Sequence, residues 1–265
     1  MKRDLLKLED LAAGYGSRVV VDGLTLTLPA GQIMTLIGPN GAGKSTILKT
    51  LAGELAPLGG TALLDGKNIY RMQRRERALQ MAVVLTGGIR TESMTCREIV
   101  EKGRYPHTGT MGRLTPKDQE AVARALAATR SAGLADRIFS RISDGQRQRV
   151  LLACALCQEP RFLLLDEPTS YLDLHGKLEF MELLLRLCHE NGMTAVMSIH
   201  ELDLARKVSD QILCIRDGRA DRIGKPEDVF KGGYIADLFD VSLQTMQRFG
   251  MEYLCGQPQE GESEE

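Results

Sequence analysis

The stretch Ile33-Met34-Thr35-Leu36-Ile37-Gly38-Pro39-Asn40-Gly41-Ala42-Gly43-Lys44-Ser45-Thr46 decides the fold. Its first five residues form a short apolar run of the buried-strand kind, and the residues from Ser45 onward carry helical spacing. Between strand and helix, residues 38–45 fit G-x-x-x-x-G-K-[ST], in the setting that pattern requires. Glycines let backbone N–H groups turn inward around phosphate oxygens, and the helix start adds its positive end. Lys44 can then reach the β and γ phosphates of a nucleotide, and Ser45 offers a hydroxyl to Mg²⁺. A merely tight glycine turn would not need Lys-Ser-Thr directly behind it.

Upstream, LLKLEDL and VVVDGLTLTL alternate apolar and polar residues, which predicts an antiparallel patch with Gly14 and Gly16 flanking its turn. Downstream, TALLDGKNIY reads as a hairpin turning at Asp65-Gly66, followed by a basic helix around RMQRRERALQ and a strand at MAVVL. From roughly residue 95 to 157 the spacing is helical: TCREIVEKG, PKDQEAVARALAATRSAG and DGQRQRVLLACALC. After Pro160 strand and helix alternate again: FLLLDEP, LEFMELLLRLCHE, TAVMSI, a helix from Glu201, and QILCI. That alternation implies a mainly parallel sheet covered on both faces, an α/β fold. Residues 256–265, with four glutamates and almost nothing apolar, read as a solvated, disordered tail.

With 265 residues, 43% of them hydrophobic, the chain can bury a sizeable core. A net charge of −1 supplies no electrostatic reason to expect nucleic acid. Six scattered cysteines and no secretory leader favour reduced thiols in a cytosolic compartment. Cys154 and Cys157 form a C-x-x-C, but without a second pair VLLACALC reads as a buried helix face. The longest uncharged stretch, residues 23–43, is broken by prolines and glycines and does not suit a lipid-exposed span.

Phe162-Leu163-Leu164-Leu165-Asp166-Glu167 is an apolar strand ending in two carboxylates, which a doubly wound sheet sets beside the phosphate loop. Asp166 would hold Mg²⁺ through water, and Glu167 would polarise the attacking water. Ser143-Asp144-Gly145-Gln146, ahead of Arg147-Gln148-Arg149, opens a helix and taken alone is no more than an N-cap. A lone Tyr15 is more often a surface aromatic and a lone His200 a structural histidine.

In this order, however, the set resembles the ATP-binding cassette (ABC) transporter ATPases, over residues 15 to about 217. The resemblance implies a phosphate-loop NTPase core of the RecA-like kind over 1–88 and 158–255, with the antiparallel patch attached. A helical subdomain would be inserted over 89–157. Tyr15 would stack on adenine, and Gly38, Pro39, Asn40, Gly41, Ala42, Gly43, Lys44, Ser45 and Thr46 would bind ATP. Asp166 and Ser45 would hold the metal, while Glu167, His200 and Lys44 would serve catalysis, His200 by sensing the γ-phosphate. Members of the family pack head to tail in pairs. Ser143, Asp144, Gly145 and Gln146, with Asp173 of the Tyr171-Leu172-Asp173 loop, would then act on ATP held by a second copy or a related ATPase subunit.

Three positions depart from the family. Its signature usually carries glycine where this chain has Asp144, and leucine where it has Ile142. The Asp144 side chain is therefore expected to point away while backbone N–H groups bind. At the end of MAVVL the family has a glutamine that contacts Mg²⁺, and this chain has Thr86. Thr86 is a candidate metal contact of shorter reach, so the contact is lost, bridged by water, or looser.

Gly103-Arg104-Tyr105-Pro106-His107-Thr108-Gly109 is similar to the branch that energises import of ferric siderophores, haem and cobalamin. The resemblance implies a peripheral ATPase on the cytoplasmic face of the membrane. It would drive separate transmembrane permease subunits, served by a substrate-binding protein, with ATP and Mg²⁺ as cofactors. His107 and Tyr105 are read as a solvated loop, not a metal or haem site. The competing readings are a soluble ABC ATPase outside transport, and a non-hydrolysing ATP-binding regulator suggested by Thr86 and Asp144.

Overall fold

The computed structural model describes residues 4–85, 91–109 and 112–255. Thr86 and the acidic segment 256–265 lie outside the described residues.

Among the described residues the strands are β1 (Asp4–Tyr15), β2 (Arg18–Pro29), β3 (Ile33–Ile37), β4 (Gly59–Leu64), β5 (Lys67–Asn68) and β6 (Met81–Val84). β7 (Phe162–Asp166), β8 (Thr194–Ser198), β9 (Gln211–Arg216) and β10 (Arg219–Gly224) follow. One sheet runs β2-β1-β4-β5 and is antiparallel throughout. The other runs β10-β9-β3-β8-β7-β6, with every neighbouring pair parallel except β10 with β9. The Asp65-Gly66 turn joins β4 and β5 with both φ positive, 51° and 79°, as a two-residue hairpin of the primed type needs.

The helices are α1 (Lys44–Ala52), α2 (Arg74–Gln80), α3 (Cys96–Glu101), α4 (Pro116–Ala128) and α5 (Asp144–Cys157). After them come α6 (Leu174–His189), α7 (Leu202–Val208), α8 (Pro226–Val229), α9 (Tyr234–Leu238) and α10 (Leu243–Arg248). The N-termini of α3, α4 and α5 are each closed by a capping box, formed by Thr95 with Glu98, Thr115 with Asp118, and Ser143 with Gln146. Asp173 caps α6, which starts at Leu174, four residues before the sequence pattern turns apolar.

The core has two layers, because successive side chains on a strand face opposite ways. Met34, Leu36, Phe162, Leu164, Val196, Leu213 and Ile215 pack with α1 and the antiparallel sheet. Ile33, Ile37, Leu163, Leu165, Ala195, Met197 and Ile212 pack with helices on the other side. The two sheets also meet at backbone level: the Asp22 amide donates to the Gly218 carbonyl at 2.8 Å. A Cβ on Gly218 would sit 2.2 Å from the Val20 carbonyl oxygen.

β10 and α8 to α10 escape the sequence pattern. β10 is a charged edge strand, RADRIG, with no fully buried side chain. The signal it did leave is Asp217-Gly218, again with paired positive φ of 50° and 72°.

In the segment 103–109, Tyr105 is 63% exposed and His107 half-buried, while other residues are built into the fold. Gly103, Arg104 and Thr108 are buried, and the Arg104 guanidinium bonds Asp118 at 2.8 Å, Glu159 at 2.9 Å and the Cys157 carbonyl at 2.7 Å. His107 meets the Gln158 carbonyl at 2.8 Å, and Arg75 of α2 donates to the carbonyls of Pro106 and Thr108. Both ring and loop are thus held by main-chain oxygens. Burial pushes the Cys154 and Cys157 thiols up to about 11 and about 12, in keeping with a packed helix face.

Candidate nucleotide site

β3 ends at Ile37 and the chain turns sharply through Gly38, with φ 150°. A Cβ there would lie 2.2 Å from the Ile215 carbonyl oxygen of β9. At Gly43, φ is 107° and a Cβ would lie 2.3 Å from Cγ2 of Val21. These two positions accept only glycine, since backbone and β-branched side chain stand where a Cβ would go. The loop is therefore wedged between β9 and the antiparallel sheet, ahead of the N-terminus of α1.

Lys44 is 7% exposed, and its ammonium donates to the carbonyls of Gly38 at 2.7 Å and Pro39 at 2.9 Å. Burial draws its pKa below the ordinary lysine value, while the charges of Glu167 and Asp166 pull the other way. The Ser45 hydroxyl donates to Oδ1 of Asp166 at 3.1 Å. Asp166, 1% exposed, stands beside Ser198 in the β7–β8 register and accepts that hydroxyl on the same oxygen at 2.6 Å. A serine hydroxyl next to a buried carboxylate is a hard-oxygen donor set, which suits Mg²⁺.

Glu167 leaves β7 in the left-handed region, with φ 47°. Its amide donates to both the carbonyl and the hydroxyl of Ser198, each at 3.1 Å. This turn aims the carboxylate out of the sheet, where Oε1 lies 2.7 Å from Nε2 of His200 and Oε2 accepts from Ser170 at 3.1 Å. A carboxylate held by an imidazole and a hydroxyl is fixed in direction, which is what an attacking water requires of its partner.

The structure thus gathers Lys44, Ser45, Asp166, Glu167 and His200 around one end of the parallel sheet. Tyr15, at the end of β1, is 48% exposed. Ser143, Asp144, Gly145, Gln146 and Asp173 form a second group: a Cβ on Gly145 would lie 3.3 Å from the Tyr171 carbonyl oxygen. The Asp144 carboxylate bonds Arg147 at 2.7 Å on its own helix, which offsets its charge. Ser198 is the site residue that motif reading misses, and its mark in the sequence is a hydroxyl closing the strand TAVMS after three apolar residues. Among the described residues, no helix is long and apolar enough to cross a membrane.

Residues 21–170 match the family model described as ABC transporter. The chain is 40% identical over 239 residues to the iron(3+)-hydroxamate import ATP-binding protein FhuC of Bacillus subtilis, covering 90% of this chain and 89% of that one. It is 38% identical over 247 residues to the probable siderophore transport system ATP-binding protein YusV of the same organism, covering 93% and 90%. Among solved structures, the dimeric MJ0796, a bacterial ABC transporter cassette, superposes with a TM-score of 0.76 at 25% identity, covering 84% of this chain and 99% of that one. With the motifs folded together at one end of the parallel sheet and relatives of nearly full length, this chain belongs to the ABC transporter ATP-binding proteins, which are ATPases.

Proposed function

We propose that this chain is the ATP-hydrolysing subunit of an importer for a ferric siderophore. It would work on the cytoplasmic face of the membrane, as a pair of copies bound to separate permease subunits and fed by a substrate-binding protein. The contact between Glu167 and His200 at 2.7 Å, next to Ser45 and Asp166, carries the catalytic part of this reading. The two Bacillus relatives, one named for siderophore transport and one for iron(3+)-hydroxamate import, support the cargo.

Residues 38–46 and Lys44 hold the phosphates, and Tyr15 stacks on the adenine. Ser45 and Asp166 would hold Mg²⁺, which would neutralise phosphate charge during hydrolysis. Glu167 orients the attacking water in line with the γ-phosphate, and His200 fixes that carboxylate and reads the phosphate. Ser143, Gly145 and Gln146 of each copy present the α5 N-terminus to the ATP of the other, and Asp173 lies at the same seam. The segment 89–157 is the subdomain that meets the permease, through the loop held by Arg75 and Gln158.

The test is uptake by the reconstituted complex in vesicles. ATP-dependent accumulation of a radioiron hydroxamate, with no uptake of haem or cobalamin, is the expected result. Uptake of haem or cobalamin instead would replace the cargo, and recovery of the chain only in the soluble fraction would overturn the membrane role.

A further inference from the structure

Glu201 follows His200 and occupies the N-cap position of α7, yet its side chain makes no cap bond there. Ser, Thr, Asp and Asn are the residues that cap well from this position. The Glu201 carboxylate is spent elsewhere, with one oxygen on each of two partners. Oε2 accepts from the Thr169 hydroxyl at 3.0 Å, and Oε1 pairs with the Lys177 ammonium.

Those partners bracket one segment. Thr169 is 1% exposed and lies two residues after Glu167; its carbonyl accepts the Leu172 amide at 3.1 Å. Lys177 is in the first turn of α6, and its amide donates to the Asp173 carbonyl at 2.9 Å. Tyr171, between them, is 63% exposed. Glu201 therefore clasps both ends of the loop that carries Tyr171, Leu172 and Asp173, while its backbone continues directly from His200. Burial is the largest influence on this carboxyl and pushes its pKa up. The Lys177 and Thr169 hydrogen bonds outweigh it and hold the group below the usual glutamate range, so it is charged at neutral pH.

We infer that Glu201 is a positioning residue that fixes His200 in register with the 169–173 loop, so that the placing of that loop against a second copy sets the Glu167–His200 contact. This rests on the dimeric ATPase reading above. Hydrolysis then depends on Glu201 although it touches neither nucleotide nor water. Losing the clasp lets His200 and the loop move independently, which lowers turnover and leaves nucleotide binding intact.

The experiment measures steady-state ATPase of the full-length chain in its permease complex, with a double-mutant cycle over Glu201→Ala and Lys177→Ala. Glu201→Ala should lower kcat about tenfold with the KM for ATP within about twofold of wild type. Lys177→Ala should act in the same direction, and the double variant should be no worse than Glu201→Ala alone. Glu201→Gln, which keeps an acceptor for Thr169, should recover part of the rate and guards against a fold defect in the alanine variant. A wild-type kcat in Glu201→Ala, a KM shift in place of a kcat loss, or multiplicative effects of the two alanine changes would overturn the inference. Glu167→Gln is run alongside: if it also hydrolyses ATP normally, the catalytic reading fails first, and if it alone is dead, only the Glu201 role fails.

Discussion

The ammonium of Lys44 lies 2.7 Å from the carbonyl oxygen of Gly38, folded onto the loop that its own helix follows. It already holds its place by main-chain contacts, so little side-chain freedom is lost when phosphate oxygens take them over. Lys44→Ala should weaken ATP binding on the order of 10- to 100-fold, the weight of one or two charged hydrogen bonds. Lys44→Arg should not restore it, because a planar fork does not fit a point-charge site. Titration with a fluorescent ATP analogue reads both.

Ser198 donates to Asp166 and accepts from the Glu167 amide, so one hydroxyl sets two carboxylates. Ser198→Ala should raise the Mg²⁺ concentration for half-maximal ATPase several-fold, at a stability cost of about 1 kcal/mol. A Mg²⁺ titration of the ATPase rate at saturating ATP checks it.

Gly41 and Gly43 separate two kinds of constraint. Both have positive φ, 80° and 107°, but a Cβ on Gly41 meets nothing within 4 Å, whereas at Gly43 it strikes Val21. Gly41→Ala should cost about 1–2 kcal/mol of stability and keep measurable ATP binding. Gly43→Ala should cost more and abolish binding, and adding Val21→Ala should return part of the stability. Urea unfolding with and without ATP distinguishes them.

Sequence pattern and structure agree wherever a side chain's environment is set by near neighbours. The phosphate loop, the Asp65-Gly66 turn and the apolar strands β3, β7, β8 and β9 all write their geometry into consecutive residues. β10 does not, because an edge strand needs no apolar face, and Arg219, Asp221 and Arg222 carry charge there. Ser198 and Glu201 were hidden for a different reason. Their partners, Asp166, Thr169 and Lys177, are more than twenty residues away, and only the parallel register brings them together. The burial of Arg104 is not written in its neighbours either, because its two carboxylates come from α4 and the turn after α5.

Asp118 is held down to about 2, first by the Thr115 hydroxyl and amide and then by Arg104, against an ordinary 3.8. A carboxyl with a lowered pKa in the folded state contributes stability that is complete above 3.8 and is lost as pH falls towards 2. Asp118→Asn should be less stable than wild type at neutral pH by roughly 2 kcal/mol. Its further loss of stability across that acid window should be shallower than wild type. Denaturant melts across a pH series provide both slopes.

Arg75 ties α2 to the carbonyls of Pro106 and Thr108 without touching the nucleotide corner. Arg75→Ala should leave the basal ATPase of the isolated chain unchanged and reduce its stimulation by the permease several-fold. Equal stimulation in the variant and wild type would remove the loop from the coupling path.

The bond from the Asp22 amide to Gly218 has a consequence for biogenesis. β2 backs the phosphate loop through Val21, yet it is fastened by a residue made nearly two hundred positions later. β3 likewise waits for β8 and β9 as its neighbours. A nascent chain still short of β9 thus carries the complete phosphate-loop motif without the Ile215 wall against which Gly38 turns. Nucleotide binding should switch on late in translation, as a step tied to emergence of the β9–β10 hairpin from the ribosome.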